Sequence, residues 1–381
     1  MVTLTAGVSN SNRTLYHRIR FALGDCAALI EGLGPDGHSL LLVRDIEMAR
    51  ARKVARADRI GCSADFIPEG GLSGDRDTAM AQAVAECLRR EGVRHIKADS
   101  TLPYLFAWHV MQNGIEIDLD PELGIRERRT KTADEIELLI KAQEMTAKAM
   151  TMACQLIARA EAISDGSLRH NGQPLTSESV RRTITRFLID EGFSTPTDSI
   201  VATLPHVADC HHFGTGPLWT GQPVIVDIFP RDESSFYNGD CTRTVVHGTP
   251  SDTVAAMHKA VQEAKVVGCA ALRPGTTGAA VHKATVDVIL AHGFEFRRGS
   301  SDMENPTPAM RHGTGHGIGL DVHEPILLDE GGGEILENEV FTVEPGMYSA
   351  VQGGVRIEDM VQVTNDGHRI LCHLNESLDW K

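Results

Sequence analysis

Asp227, Asp240, His316, Glu344 and Glu358 follow one another in the C-terminal part of a 381-residue chain, each within a short apolar, strand-like run. Four carboxylates and one imidazole can hold a pair of divalent cations. Oxygen donors suit hard or borderline ions, and the single imidazole shifts the choice toward Mn, Co, Fe or Zn. A cation pair activates water, so the set points to hydrolytic chemistry.

Strands must deliver these side chains. Val224-Ile-Val-Asp-Ile-Phe229 and Asp240-Cys-Thr-Arg-Thr-Val-Val246 have strand composition. The segment between them, 230–239, contains Pro, Asp, Asn and Gly and can turn the chain back. In such a hairpin Asp227 and Asp240 can face each other across the strands. Thr242 and Thr244 then share the Asp240 face, with Cys241 and Arg243 on the other. Facing carboxylates repel unless cations lie between them, and an unpaired Asp in so apolar a run is costly to bury. Pairing of Asp227 with a nearby arginine is the competing structural account. A second pair of strands repeats the arrangement, Val340 to Glu344 and Gly353 to Val361. Here Glu358 and Arg356 share one face and Asp359 points to the other.

The imidazole comes from His312-Gly-Thr-Gly-His316-Gly-Ile-Gly. Four glycines in this stretch would cost a helix about 4 kcal/mol relative to alanine, so an extended segment is expected. There the glycines fall on one face, open to close approach by backbone or ligand. His312 and His316 take the opposite face, and His323 follows in Leu320-Asp-Val-His-Glu324.

The supporting elements read as two domains, which the length also favours. Ser39–Val43 and His95–Asp99 read as strands, and Thr78–Arg90 and Leu102–Gln112 as helices. This alternation predicts an α/β domain over residues 1–125. After the basic stretch Arg126–Lys131, Thr132-Ala-Asp-Glu135 is a capping box that starts a helix running to about Ala160. Further helices are expected over Ser177–Glu191, Ser251–Leu272 and Ala279–Gly293, among strands from Ser199 onward.

The net charge of −15 disfavours nucleic acid as a partner. No run of 18 uncharged apolar residues predicts a membrane span, and Met1–Asn12 lacks the basic and apolar regions of a signal peptide. Eight cysteines without a C-x-x-C pair, in a chain this long, predict buried thiols in a reducing cytoplasm. Cys210 and Cys241, beside candidate site residues, read as small buried neighbours.

Three strings carry a resemblance: His312-Gly-Thr-Gly-His-Gly-Ile-Gly-Leu-Asp-Val-His-Glu324, Thr342-Val-Glu-Pro-Gly-Met-Tyr348 and Val355-Arg-Ile-Glu-Asp359. With the ligand order, and with the linker Arg126 to Ile136, they resemble the pita-bread dinuclear metallopeptidases, Xaa-Pro branch (prolidase and aminopeptidase P). The resemblance covers essentially the whole chain. It implies an α/β N-terminal domain, 1–125, of the creatinase type. An α+β pita-bread (creatinase/aminopeptidase) catalytic domain, 126–381, follows.

Residue by residue, it implies that Asp227 chelates one metal, that His316 and Glu344 bind the other, and that Asp240 and Glu358 bridge them. The reaction implied is attack of a hydroxide bridging two divalent metals, Mn first and Co, Zn or Fe otherwise, on the peptide bond preceding proline. Glu344 would shuttle the proton, and His323 would donate to the tetrahedral intermediate. His211 and His312 would position substrate. His206, in Leu204-Pro-His206, competes with His211 for the substrate-facing role. Arg356 would tune Glu358, bind a substrate carboxylate or form a supporting ion pair. Peptide substrates and a homodimer are further implications. Asp227 and Asp240 lie two positions farther apart than in many family members, which puts the shape of the intervening turn in question. Two alternatives stay open: a same-fold hydrolase with a non-proline substrate, and a non-catalytic binding module. So does the choice between dipeptidase and aminopeptidase.

Overall fold

A computed structural model describes residues 1–299 and 305–381. The chain divides into two compact units, Met1–Arg128 and Arg129–Lys381, a boundary three residues beyond the expected one. Among the described residues, no helix is long and apolar enough to cross a membrane.

The first unit is built on β1 (Val2–Val8), α1 (Arg13–Ile19), β2 (Cys26–Leu33), β3 (His38–Val43), α2 (Met48–Val54), β4 (Arg59–Cys62), α3 (Arg76–Arg90), β5 (His95–Ala98), α4 (Tyr104–Gln112) and β6 (Glu116–Leu119). Its six strands form one mixed sheet in the order β4-β3-β2-β1-β5-β6. Alternation along β2 explains the layering. Ala28 and Ile30 pack with Val84 and Leu88 of α3 and Val110 of α4. Ala27 and Leu29 pack with Leu15 and Ile19 of α1 and Ala51 of α2. Helices therefore cover both faces of the sheet. α3 begins two residues earlier than its apolar pattern indicates, because the Asp75 side chain caps it by accepting from Thr78 N at 2.9 Å.

The second unit opens with α5 (Ala133–Ala158), entered through the expected capping box. Thr132 Oγ1 accepts from Glu135 N, and Thr132 N donates to Glu135 Oε2. Then come α6 (Ser177–Asp190), β7 (Ile200–Ala202), β8 (Pro223–Ile228), β9 (Cys241–Val246), α7 (Asp252–Ala271) and α8 (Gly278–Ala291). The C-terminal strands are β10 (Glu295–Phe296), β11 (Ala309–Met310), β12 (Gly315–Gly317), β13 (Glu324–Leu328), β14 (Val340–Val343), β15 (Gly346–Ser349), β16 (Gly353–Arg356), β17 (Asp359–Thr364) and β18 (Gly367–Ile370). Three sheets hold the site residues: β7-β8-β9, β10-β11-β15-β16 and β13-β12-β14-β17-β18. α5 and α6 bury Ala149, Met150, Val180 and Ile184 in one core with Val224, Val226 and Val245 of β8 and β9. α7 and α8 pack Val261 and Ile289 against Met347 of β15 and Val355 of β16.

Candidate active site

The expected hairpin forms, but in a different register. Asp227 pairs with Thr242 and Ile228 with Cys241, so Asp227 and Asp240 are offset along the strands rather than directly opposed. Asp240 precedes β9 because α5 takes its backbone: Asp240 N donates to Gln143 Oε1 at 3.0 Å, and Gln143 Nε2 donates to Asp240 O at 2.8 Å. The helix can come this close because residue 239 is glycine; a Cβ there would lie 2.1 Å from Thr146 Oγ1. The lengthened turn is ordered within itself. Phe236 N donates to Asp232 O, Asp232 N to Tyr237 O and Gly239 N to Pro230 O, and Lys141 binds the Asp232 carboxylate at 2.7 Å.

The second pair of strands is not one continuous hairpin. β14 pairs with β17 in one sheet, and β15 with β16 in another. Glu344 and Glu358 occupy the breaks between them. The register on either side, Val343 with Asp359 and Gly346 with Arg356, still sets Glu344 opposite Glu358. Pro345 has no N–H to continue a ladder. Glu344 N donates to Thr314 O instead, and Glu358 N to Thr242 O. The sheets part here, and the parting turns both carboxylates inward.

The glycines around His316 do what their spacing predicts. A Cβ at Gly315 would lie 1.9 Å from Thr342 O, and one at Gly317 2.6 Å from Pro325 O. Only glycine lets β12 sit this tightly between β13 and β14. His316 Nδ1 lies 3.0 Å from Gly317 O, which leaves Nε2 facing the carboxylates. That atom is 3.4 Å from Glu344 Oε1 and 3.9 Å from Asp240 Oδ2. Ligand atoms of Asp240, His316 and Glu358 all lie within 4.8 Å of one another. Asp227 Oδ2 accepts from Arg356 Nη2 at 2.7 Å, while its Oδ1 is buried with no hydrogen-bond partner among the described residues.

All five residues line one cavity of about 490 Å³, together with His211, His312, His323 and Arg356. Ile200, Phe229, Val322 and Leu327 supply apolar wall. A larger cavity, about 750 Å³, runs along α5 past Lys148, Met152 and Leu156 but contains none of these groups, so chemistry rather than size locates the site. His211 lines the site cavity; His206 does not, and stacks on His212 with ring centroids 4.3 Å apart.

Arg356 is buried behind Asp227 rather than turned toward Glu358. Besides Asp227, it donates to Thr242 Oγ1 at 3.2 Å and to the Tyr348 hydroxyl at 2.7 Å. Of its three expected roles, this geometry matches the supporting ion pair. His312 Nε2 meets the same Tyr348 hydroxyl at 2.7 Å, and its Nδ1 lies 2.8 Å from Gly313 O. Sequence reasoning did not single out Gln143 or Tyr348 for the site. Tyr348 could have been flagged as the end of the Pro-Gly-Met-Tyr string; nothing local marks Gln143. Cys241 is fully buried, with Sγ against Glu358 O, and Cys210 is half-buried in the cavity wall. Burial pushes both thiols up, against the opposing pull of Arg243 on Cys241 and Arg356 on Cys210.

The electrostatics fit a cation site. Burial, then Asp227 and Glu344, raise Asp240 well above the ordinary carboxylate range. Burial, then Asp240 and Glu344, do the same to Glu358. Glu344 is pushed up to about 7 by burial, with Arg356 pulling down and Asp227 up. Burial, then His323, lowers His316 to about 4, so its imidazole is neutral and able to ligate. Crowded acids, a neutral imidazole and an orphaned carboxylate oxygen are what a divalent cation would satisfy.

A pH dependence follows for metal-free protein. Carboxylates with raised folded-state pKa values stabilise the fold below their unfolded values, and that contribution is lost as pH rises through the folded ones. The depressed histidines act oppositely, and their contribution is complete above about pH 6.5. Over the interval from pH 6.5 to about 8, which brackets the folded value of about 7 for Glu344, that residue and the likewise raised Asp240 and Glu358 therefore dominate. The melting temperature of chelated protein should fall over that interval by roughly 5–10 °C and recover on adding Mn. A flat or rising melting temperature would show that the carboxylates are not crowded.

The pattern of metallopeptidase family M24 matches residues 137–365. The chain belongs to metallopeptidase family M24. It is 38% identical over 156 residues to "Uncharacterized peptidase YqhT" of Bacillus subtilis, covering 40% of this chain and 41% of that one. It is 36% identical over 194 residues to "Probable dipeptidase PepE" of Mycobacterium tuberculosis, covering 50% and 48%. The chain thus spans less than half the length of either relative. The solved Xaa-Pro dipeptidase from Bacillus anthracis superimposes with a TM-score of 0.80 at 23% identity, over 99% of this chain and 94% of that one. The fold of this M24 chain is accordingly the α/β and pita-bread arrangement that its motifs resemble.

Proposed function

We propose that this chain is a two-metal peptidase that hydrolyses the bond preceding proline. One observation carries the reading: three buried carboxylates (Asp227, Asp240 and Glu358), the part-buried Glu344 and a neutral His316 share a single cavity with His211, His312 and His323. Asp227 would hold one cation, His316 and Glu344 the other, and Asp240 and Glu358 would lie between them. Mn is the first choice, with Co, Zn and Fe compatible with the donors. When bound, such cations polarise the scissile carbonyl and bring the pKa of water toward neutrality.

The chain's own groups do the rest. Glu344, raised to about 7, is matched to taking a proton from water and passing it to the leaving nitrogen. His323 donates to the tetrahedral oxygen. His211 and His312 orient the substrate, and Tyr348 holds His312 in place. Arg356 holds the Asp227 carboxylate in place through Oδ2. The apolar wall of Ile200, Phe229, Val322 and Leu327 suits a proline ring. A cytoplasmic homodimer completes the proposal.

Metal-free protein should lose at least about 10³-fold in turnover and regain it with Mn or Co. Full turnover after rigorous chelation, with no residual metal by elemental analysis, would rule the mechanism out. Assays of Ala-Pro, Ala-Pro-Ala and Ala-Ala test the specificity: an Ala-Ala rate equal to the proline substrates would make this a general peptidase. The ratio of the first two rates separates dipeptidase from aminopeptidase.

A further inference from the structure

Behind Glu358, on the face of β9 opposite Thr242, lies a buried charged cluster that the mechanism does not use. Arg243 is 1% exposed. Its Nη1 donates to the backbone oxygens of Glu358 and of Thr242, and its Nη2 to Asp359 Oδ1 at 2.6 Å. Its Nε donates to Asn375 O at 2.8 Å. Lys265 of α7, equally buried, binds both Asp359 and Glu376. His258, two turns earlier on the same helix face, meets Glu376 O at 2.7 Å. Asn375 and Glu376 belong to the C-terminal tail that follows β18.

We propose that Arg243 is the positioning residue for Glu358 and that, through it, the C-terminal tail sets the metal affinity of the site. The inference rests on the reading of Glu358 as a ligand. Glu358 occupies the break between β16 and β17, so no strand ladder fixes its peptide. β9 does so instead. Thr242 O accepts from Glu358 N at 3.0 Å, Thr242 Oγ1 donates to Glu358 Oε2 at 2.8 Å, and Arg243 takes the Glu358 carbonyl. Two consecutive residues of one strand thus hold the carboxylate from the front and its backbone from behind. A guanidinium is required there, because it reaches two carbonyls, a carboxylate and the tail in one plane; a lysine ammonium has no such fork. Two acidic side chains, Asp359 and Glu376, thus meet two basic ones, Arg243 and Lys265, in one connected cluster. Removing the tail's carbonyl and carboxylate would free Arg243 and Lys265 to shift, and Glu358 with them.

The test is calorimetric titration of metal-free protein with Mn, comparing wild type, Arg243→Lys and Glu376→Ala. Arg243→Lys should weaken Mn binding about 10- to 100-fold, the range for partners that orient metal ligands. Its kcat should recover at saturating Mn, with KM for peptide little changed. Glu376→Ala, which releases Lys265 and through Asp359 loosens Arg243, should weaken binding by less than the about 10-fold lower end of that range. A purely structural role would lower the melting temperature while leaving Mn affinity at the wild-type value, and that result overturns the proposal. If Arg243→Lys does not fold, unchanged Mn affinity in Glu376→Ala overturns the coupling to the tail. Failure of the wild type to bind Mn would sink the metal-centre reading itself, and this inference with it.

Discussion

Asp240→Asn is expected to lower peptide hydrolysis by at least about 10³-fold, beyond the loss typical of residues that only orient ligands. In metal-free protein the same change should raise the melting temperature. The two signs have one cause. Asp240 is 4% exposed and lies near Asp227, Glu344 and Glu358, whose charges disfavour its own ionisation. Asparagine keeps the shape and leaves the Gln143 clasp on the backbone intact, since both bonds are to main-chain atoms. It removes one negative charge from a site that must otherwise be neutralised by protons or cations. The metal-free fold gains what the metal-bound state loses. Differential scanning fluorimetry of chelated protein at pH 8, beside a Mn-supplemented rate assay, reads both effects. A lower melting temperature for the chelated variant would contradict the electrostatic account; a wild-type rate would remove Asp240 from the centre.

His323→Ala should reduce kcat by about 10²- to 10³-fold, the magnitude for deleting one donor to a tetrahedral oxygen, with both metals retained. The ring lines the site cavity and meets His316 edge-on, with centroids 4.3 Å apart. Burial, then His211, lowers its pKa below 6.5, so it is a neutral donor at pH 7. Metal content by elemental analysis separates two roles. Two equivalents with low turnover support a donor to the reacting oxygen. Loss of metal would make His323 a prop for the His316 ring, and unchanged kcat would remove it from the chemistry.

Much of the site was legible because local rules governed it. The Thr132–Glu135 capping box placed the start of α5. Alternation along β9 put Thr242 toward the Glu358 carboxylate and Arg243 away from it. The glycines at 315 and 317 marked close backbone approach. Other features depended on partners distant in the chain. Gln143, 97 positions from Asp240, shifted the register of the first carboxylate pair. Thr314 O and Thr242 O captured the amides of Glu344 and Glu358, and so broke an apparently single hairpin into strands of two sheets. His211 rather than His206 reached the cavity because His206 stacks on His212.

By itself, then, the sequence determined which groups are candidates for binding cations, how Thr242 and Arg243 alternate along β9 and which family the motifs resemble. These properties follow from residue type and from the two-residue period of a strand. Tertiary structure alone decided how the groups meet: Asp227 offset from Asp240, Arg356 committed to Asp227, Tyr348 linking Arg356 to His312, and Arg243 tying Glu358 to the tail. The Asp240 offset and the Arg243 tie depend on backbone groups left free where strands end, and the Arg356 and Tyr348 contacts on side chains that separate strands bring together; the chain does not disclose these partners until it has folded.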